Sequence, residues 1–337
     1  MKPIYINGIG IVSQAAVNAD EFMKAVLRQS DIKEFMDKRE FLLNVPGAKV
    51  RRASRYAKMT VAASAQAAED MGIRAIKDKT RVGTLFTTTY GPVESNVEFA
   101  DSVVQAKPAI CSPSGFSYTV PNSCVGQVCI ALGYQGVSTM MLGGDPLEYA
   151  SLLLNTNKAD YILCGAAEEK TDALEDSLRA ASDVLVDSTL AEAAVVLGVT
   201  KIKSDHSYAK ITAFASASLP CSPFINRLKE AETIPVLKEV LSSIDFVLRP
   251  DVVIDAADGS YFDEMEGKAI GDAFGDIVRI HAKAIFGETL GAGYLVNAAC
   301  GAAILKAKDS VRKILVTGVD GQGNYQAIVL ERPEEGE

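Results

Sequence analysis

The stretch from Lys283 to Tyr294 reads K-A-I-F-G-E-T-L-G-A-G-Y. Its short apolar opening predicts a strand over Lys283–Ile285, and the glycines that follow predict a turn into a helix. The segment S-T-M-M-L-G-G-D-P, beginning at Ser138, has the same layout with a helix behind it. Matching neighbours surround both in the same order. T-R-V-G-T-L-F-T-T-T-Y-G (Thr80–Gly91) parallels P-D-V-V-I-D-A-A-D-G-S (Pro250–Ser260), Y-I-L-C-G-A-A parallels I-L-V-T-G-V-D, and A-A-V-V-L-G parallels Q-A-I-V-L-E. Self-similarity in order predicts one structural unit used twice.

Short β-rich runs alternate with alanine-rich helical stretches, the pattern of an α/β protein with buried central strands. Strands are predicted at Ile4–Val12, Arg81–Thr88, Ser138–Leu142, Tyr161–Cys164, Ala193–Val199 and Ala209–Phe214. Beyond a helical stretch near Ile234–Ser243, a second series falls at Val252–Ala256, Lys283–Ile285, Lys313–Thr317 and Gln326–Leu330. Duplicated βαβ halves, residues 1–200 and 201–337, are expected to form one compact unit.

Composition narrows the function classes. A chain of 337 residues with 48% hydrophobic content buries a large core. Its net charge of -9 speaks against nucleic acid as a partner, since phosphate contacts need clustered Lys and Arg. No apolar stretch is expected to span a membrane, and Met1–Ser13 lacks the pattern of a secretory signal. The six cysteines lack C-x-x-C spacing and read as reduced core residues, which points to the cytoplasm. Gly8-Ile9-Gly10 is half of a dinucleotide fingerprint without its third glycine or acidic ribose partner, so it reads as turn chemistry, and no cofactor is expected.

Together these segments resemble the β-ketoacyl synthases, whose thiolase fold stacks two similar α/β halves in five αβαβα layers. The Lys283 loop resembles that family's K-x-x-x-G-H-x-x-G-A-x-G motif, with Glu288 where the histidine stands. I-N-G-I-G-I-V-S at Ile6 resembles the opening strand, and S-R-Y-A-K-M at Ser54 the start of the first long helix. The run from Pro121 to Ser138 resembles the dimer-interface helix and the approach to the nucleophile strand. A-E-A-A-V-V-L-G from Ala191 resembles the strand that closes the first half.

The resemblance implies a cysteine thiolate at the N-terminus of a buried helix, where the helix dipole lowers the thiol pKa, and two imidazoles that bind the thioester oxygen. Here the elbow reads Leu142-Gly143-Gly144-Asp145-Pro146. Counting forward from Gly136 sets the nucleophile position at Asp145; counting back from Ala159-Asp160 sets it near Met140. Neither is Cys, Ser or Thr. Asp145-Pro146-Leu147-Glu148 reads instead as a helix start with an Asp N-cap and proline at the first position. The first family histidine corresponds to Asp258, with Glu266 matching the glutamate that follows, and the second histidine corresponds to Glu288. His206 and His281 are expected to play structural roles. Lys283 matches the family's lysine and, five residues before Glu288, predicts a buried ion pair. In the C-terminal loop Val319–Asn324, Asp320 stands at the gatekeeping phenylalanine.

If all four acids converge, Asp145, Asp258, Glu288 and Asp320 would offer oxygen ligands to a divalent cation or raise one carboxyl pKa. The favoured expectation is that they cap helices and pair with Lys283 or backbone amides, so neither metal nor catalytic residue is assigned. The leading functional expectation is a non-catalytic ketosynthase-like subunit. It resembles the chain-length factors that pair with an active ketosynthase in fatty-acid, polyketide or aryl-polyene biosynthesis. Alternatives are an acyl-thioester enzyme with carboxylate chemistry at Asp258 and Glu288, and a homodimeric protein that binds acyl carrier proteins. The glycine and alanine content of Cys124–Gly136 suits close approach at a subunit interface.

Overall fold

A computed structural model describes residues 2–28, 50–105, 112–181, 184, 189–244, 249–257 and 261–334. Its strands are β1 (Ile4–Ser13), β2 (Val82–Thr88), β3 (Ser138–Leu142), β4 (Tyr161–Glu168), β5 (Ala193–Thr200), β6 (Ala209–Ser218), β7 (Val252–Ile254), β8 (Val278–Ile280), β9 (Lys313–Val319) and β10 (Asn324–Glu331). The spatial order is β3-β2-β4-β5-β1-β6-β10-β9-β7-β8. Each half therefore runs in the same order from its own outer strand inward. Each also has the same polarity: β2 is parallel to β3 and β4, as β7 is to β8 and β9, while β5 and β10 pair antiparallel to both neighbours. The halves meet where β1 pairs with β6, Ile4 opposite Ile211.

One predicted strand is displaced. Lys283–Phe286 is a single helical turn, and the strand that pairs with β7 is Val278–Ile280. V-R-I alternates and is β-branched, whereas K-A-I-F carries little strand preference beyond its isoleucine. Gly287, at φ +75°, ends the turn. The structural counterpart of β3 is thus β8, and the Lys283 loop is an added turn between it and the following helix.

Alternation along the strands divides the core into three layers. On β5, Ala193, Val195, Leu197 and Val199 face one apolar cluster while Ala194 and Val196 face another. On β10, Ile328 and Leu330 face the first cluster, whereas Tyr325, Ala327 and Val329 face a third. The shared cluster lies between the sheets and holds helices Pro146–Asn155 and Gly293–Ala307. Outside one sheet pack Arg55–Asp70, capped by Ser54, and Ser123–Leu132; outside the other pack Glu230–Ser243 and Tyr261–Phe274. Five αβαβα layers result.

Gly293–Ala307 is buried at every position from Gly293 to Leu305. A helix that is apolar all round belongs in an interior, and its run of Ala, Cys and Gly lets both sheets approach closely. The expectation that no stretch is long and apolar enough to span a membrane is corrected here. Leu290–Ala307 meets that criterion, but as the core helix it is 89% buried.

Candidate functional site

The site lies where both central helices begin. β3 ends at Leu142, and the chain turns through Gly143 and Gly144 at φ +80° and +86°, a region that glycine adopts at little cost and that residues with a Cβ avoid. Asp145 is then the N-cap of Pro146–Asn155. Its Oδ1 accepts from the N–H groups of Leu147 at 2.9 Å and Glu148 at 3.1 Å, and its Oδ2 accepts from Tyr294 Oη at 2.9 Å. Burial pushes its pKa up to about 6 against these bonds. The helix dipole that would activate a thiol is spent on a carboxylate.

The elbow is also closed from outside. A Cβ on Gly143 would stand 2.6 Å from Gln322 Oε1 and 2.8 Å from Asp320 Oδ2. Asp320, in the loop between β9 and β10, accepts from Gly144 N–H and Asn324 Nδ2 at 2.8 Å, and from Gln322 and Asn324 N–H at 2.9 Å. One carboxylate thereby shapes its own loop and pins the opposite half's elbow to it.

In the C-terminal half, Lys283 Nζ lies 2.6 Å from Glu288 Oε2 with both side chains buried. Glu288 Oε1 accepts from Leu290 N–H at 2.6 Å. Main-chain bonds from Glu288 N–H to Thr189 O and from Ala191 N–H to Glu288 O hold this loop against the entry to β5. Phe224, from the segment after β6, covers Lys283 with its ring centroid 5.7 Å from Nζ. Leu290 adopts φ +50°, a strained conformation for a branched side chain, at the point where the loop enters the helix.

Three residues at the centre escaped sequence reasoning. Glu168 closes β4 and accepts from the N–H groups of Thr89 and Tyr90, and burial lifts its pKa to about 7. Tyr90 has its hydroxyl pushed to about 12 by burial, with the charges of Glu168 and Glu288 adding to it. A Cβ on Gly291 would stand 2.5 Å from Glu168 Oε1 and 2.6 Å from Thr89 Oγ1, so this motif glycine exists to admit the acid. The available signal was an acid ending the apolar run Y-I-L-C-G-A-A-E.

The sequence-predicted acids do not form a common cage. Asp145 and Asp320 both grip the elbow, Glu288 turns to Lys283, and Asp258 lies outside the described residues. Among the described residues no group of three His, Cys, Asp or Glu could hold a metal ion. Glu266 is buried elsewhere, accepting from Ala256 N–H, Thr317 Oγ1 and Tyr325 Oη. His281 is bonded through Nδ1 to Asp255 Oδ1 at 2.8 Å, with Arg279 Nε on the other carboxylate oxygen at 2.6 Å. His206 is exposed in a turn. The five described cysteines are free thiols, and none lies at the elbow.

No protein-family model and no curated protein sequence matches the chain. Solved structures do. The ishigamide ketosynthase/chain length factor aligns with a TM-score of 0.81 at 18% identity, covering 98% of this chain and 100% of that one. The type II polyketide synthase ketosynthase AntDE, in complex with the acyl-carrier protein AntF, aligns at 0.80 and 16% identity, covering 98% and 99%. The ketosynthase ApeO in complex with its chain length factor ApeC from Xenorhabdus doucetiae aligns at 0.78 and 15% identity, covering 98% of each chain. With its duplicated strand order and its two central helices, the chain has the thiolase-like α/β fold of the ketosynthases.

Proposed function

We propose that the protein is a non-catalytic ketosynthase-like subunit that works beside an active β-ketoacyl synthase, as chain-length factors do. The observation that carries this reading is the state of the three described acids. Asp145, Glu288 and Asp320 are each occupied by backbone or side-chain donors of the fold itself, and no thiol stands at the helix start. A general acid or base needs reach to a substrate proton, and a nucleophile needs an open approach. The carboxylate-enzyme alternative through Glu288 is disfavoured for the same reason, because Lys283 and Leu290 already use both of its oxygens.

Residues 1–200 and 201–337 are read as the two halves of one unit, a division supported by the repeated strand order. The partner is an active ketosynthase, with an acyl carrier protein as the substrate-bearing third component and the cytoplasm as the expected location. The complexes among the structural neighbours support a subunit of this kind.

The test is condensation and malonyl-carrier decarboxylation by the purified chain. Both are expected to be absent alone and to appear when an active ketosynthase subunit is supplied. Turnover by the chain alone, lost on Glu288→Gln, would establish the carboxylate enzyme instead.

A further inference from the structure

Helix Val93–Gln105 carries a further inference that is independent of the partnered-subunit reading. It contains no buried residue, and a helix of this length is marginal in water without a packed face. Its hold on the rest of the chain lies at its start. Val93 packs against the third apolar cluster, and the N–H of Glu94, in the first turn, donates to Glu169 Oε1 at 2.7 Å. Further along, the Phe99 ring lies 5.5 Å from that of Phe116, in a turn (Pro113–Phe116) that itself has no buried residue. A groove of about 460 Å³ separates Glu94, Val97 and Glu98 from Arg55 and the segment 170–173. The helix therefore spans open space and is fastened at one end.

The fastening is a titratable group. A carboxylate satisfies an orphan N–H at a helix start and meets the positive end of its dipole. Yet Glu169, directly after β4, is 2% exposed, and its Oε2 has no hydrogen-bond partner among the described residues. Burying a charge with one oxygen unpaired is costly, and protonation removes most of that cost. Burial is the largest influence on this carboxyl and lifts its pKa from 4.5 to about 7. The Glu94 N–H and Arg55 pull it down, while the charges of Glu94 on the helix and Glu192 at the entry to β5 push it up. The other charges nearby are engaged or set apart. Arg55 is paired with Glu192, Lys170 Nζ lies 2.9 Å from Glu175, Glu98 and Asp172 line the groove, and Glu168 accepts from Thr89 and Tyr90 N–H. We propose that helix Val93–Gln105 is a proton-controlled flap, docked over the groove while Glu169 is neutral and released as Glu169 ionises into water. The sign follows from linkage: a carboxyl raised in the docked state contributes fully below its free value and loses that contribution as pH climbs through the docked one. Docking takes up a proton, and release grows between about pH 5 and 7.

The experiment is amide hydrogen exchange of the full chain between about pH 5 and 8, corrected for the intrinsic pH dependence of exchange. It is read over residues 93–105 and, for reference, over the buried helix Arg55–Asp70. Protection of 93–105 in the wild type should fall by roughly tenfold or more across this range, at openings well below those that expose the reference helix. Glu169→Gln keeps an acceptor for the Glu94 N–H but cannot ionise, so its protection of 93–105 should stay level. Glu94→Gln, at an exposed position, removes a like charge beside Glu169 and should reduce the fall, which keeps the idea testable if Glu169→Gln does not fold. Level protection in the wild type would overturn the proposal, as would a fall unchanged in either variant, which for Glu169→Gln would assign the titration to Glu168. So would a fall matched in size and onset by Arg55–Asp70, because the whole chain would then be opening. Turnover by the isolated chain bears on the non-catalytic reading and leaves these measurements standing.

Discussion

Tyr294 Oη donates to Asp145 Oδ2 at 2.9 Å, so the first turn of one central helix is bonded to the N-cap of the other. The two halves are joined at the point where a condensing enzyme would keep its nucleophile accessible. Removing the cap should show its structural weight. Asp145→Ala is expected to cost about 1–2 kcal/mol from the lost cap alone, Tyr294→Phe about 1 kcal/mol, and Asp145→Asn least, because asparagine caps as well as aspartate. Urea unfolding of the three variants checks this order.

The Lys283–Glu288 pair predicts strong non-additivity. Lys283→Met leaves a buried carboxylate without its cation and should cost about 3–5 kcal/mol. Lys283→Met/Glu288→Gln removes both charges and should recover most of that loss, since a neutral buried pair escapes the desolvation penalty. A double-mutant cycle measures the coupling. Additive losses would show that the pair is not coupled as the 2.6 Å contact requires.

Stability should fall as pH rises from about 5 to 8, the reverse of ordinary acid denaturation. Burial lifts Asp145 from 3.8 to about 6, and Glu168, Glu169 and Glu266 from 4.5 to about 7. A carboxyl whose folded pKa is raised keeps its full contribution below the unfolded value and loses it as pH climbs through the folded value. His281, raised by its bond to Asp255, acts in the same direction. The lowered pKa values of Asp160 and Glu175 oppose it only at the acid end. At about 1.4 kcal/mol per pKa unit, the difference between pH 5 and 8 should reach on the order of 3 kcal/mol or more. Urea titrations at the two pH values give it directly, and folding near pH 6 should take up protons.

Gly143→Ala tests the closed elbow. The positive φ alone costs about 1–2 kcal/mol, and the new methyl would meet Gln322 and Asp320. If the clash dominates, Gly143→Ala/Gln322→Ala recovers part of the loss, while φ strain alone would leave the double variant no better than the single. Melting curves separate the two.

Most of the fold was legible because burial on both faces leaves a strong pattern. The runs at β3, β4 and β5 read directly as strands, and the paired segments revealed the duplication. The Lys283 run failed because a three-residue apolar stretch cannot distinguish a strand from a helical turn; hydrogen bonding to β7 decided for Val278–Ile280 instead. Asp145 could be read as an N-cap because capping is local, set by Pro146 and the two following N–H groups. Glu168, Thr89 and Tyr90 could not, since their meeting with Gly291 joins positions far apart in the chain.

By itself the sequence determined the α/β class, the repeated unit and the absence of Cys, Ser or Thr at the elbow, all of which depend on residue type and short-range periodicity. Only the tertiary structure decided what the acids do. Asp145, Glu288 and Asp320 are a potential catalytic set when read in order along the chain. In the fold each lies within hydrogen-bonding distance of its own donors, and a buried carboxylate takes the nearest donors because leaving it unpaired costs more than any single bond returns.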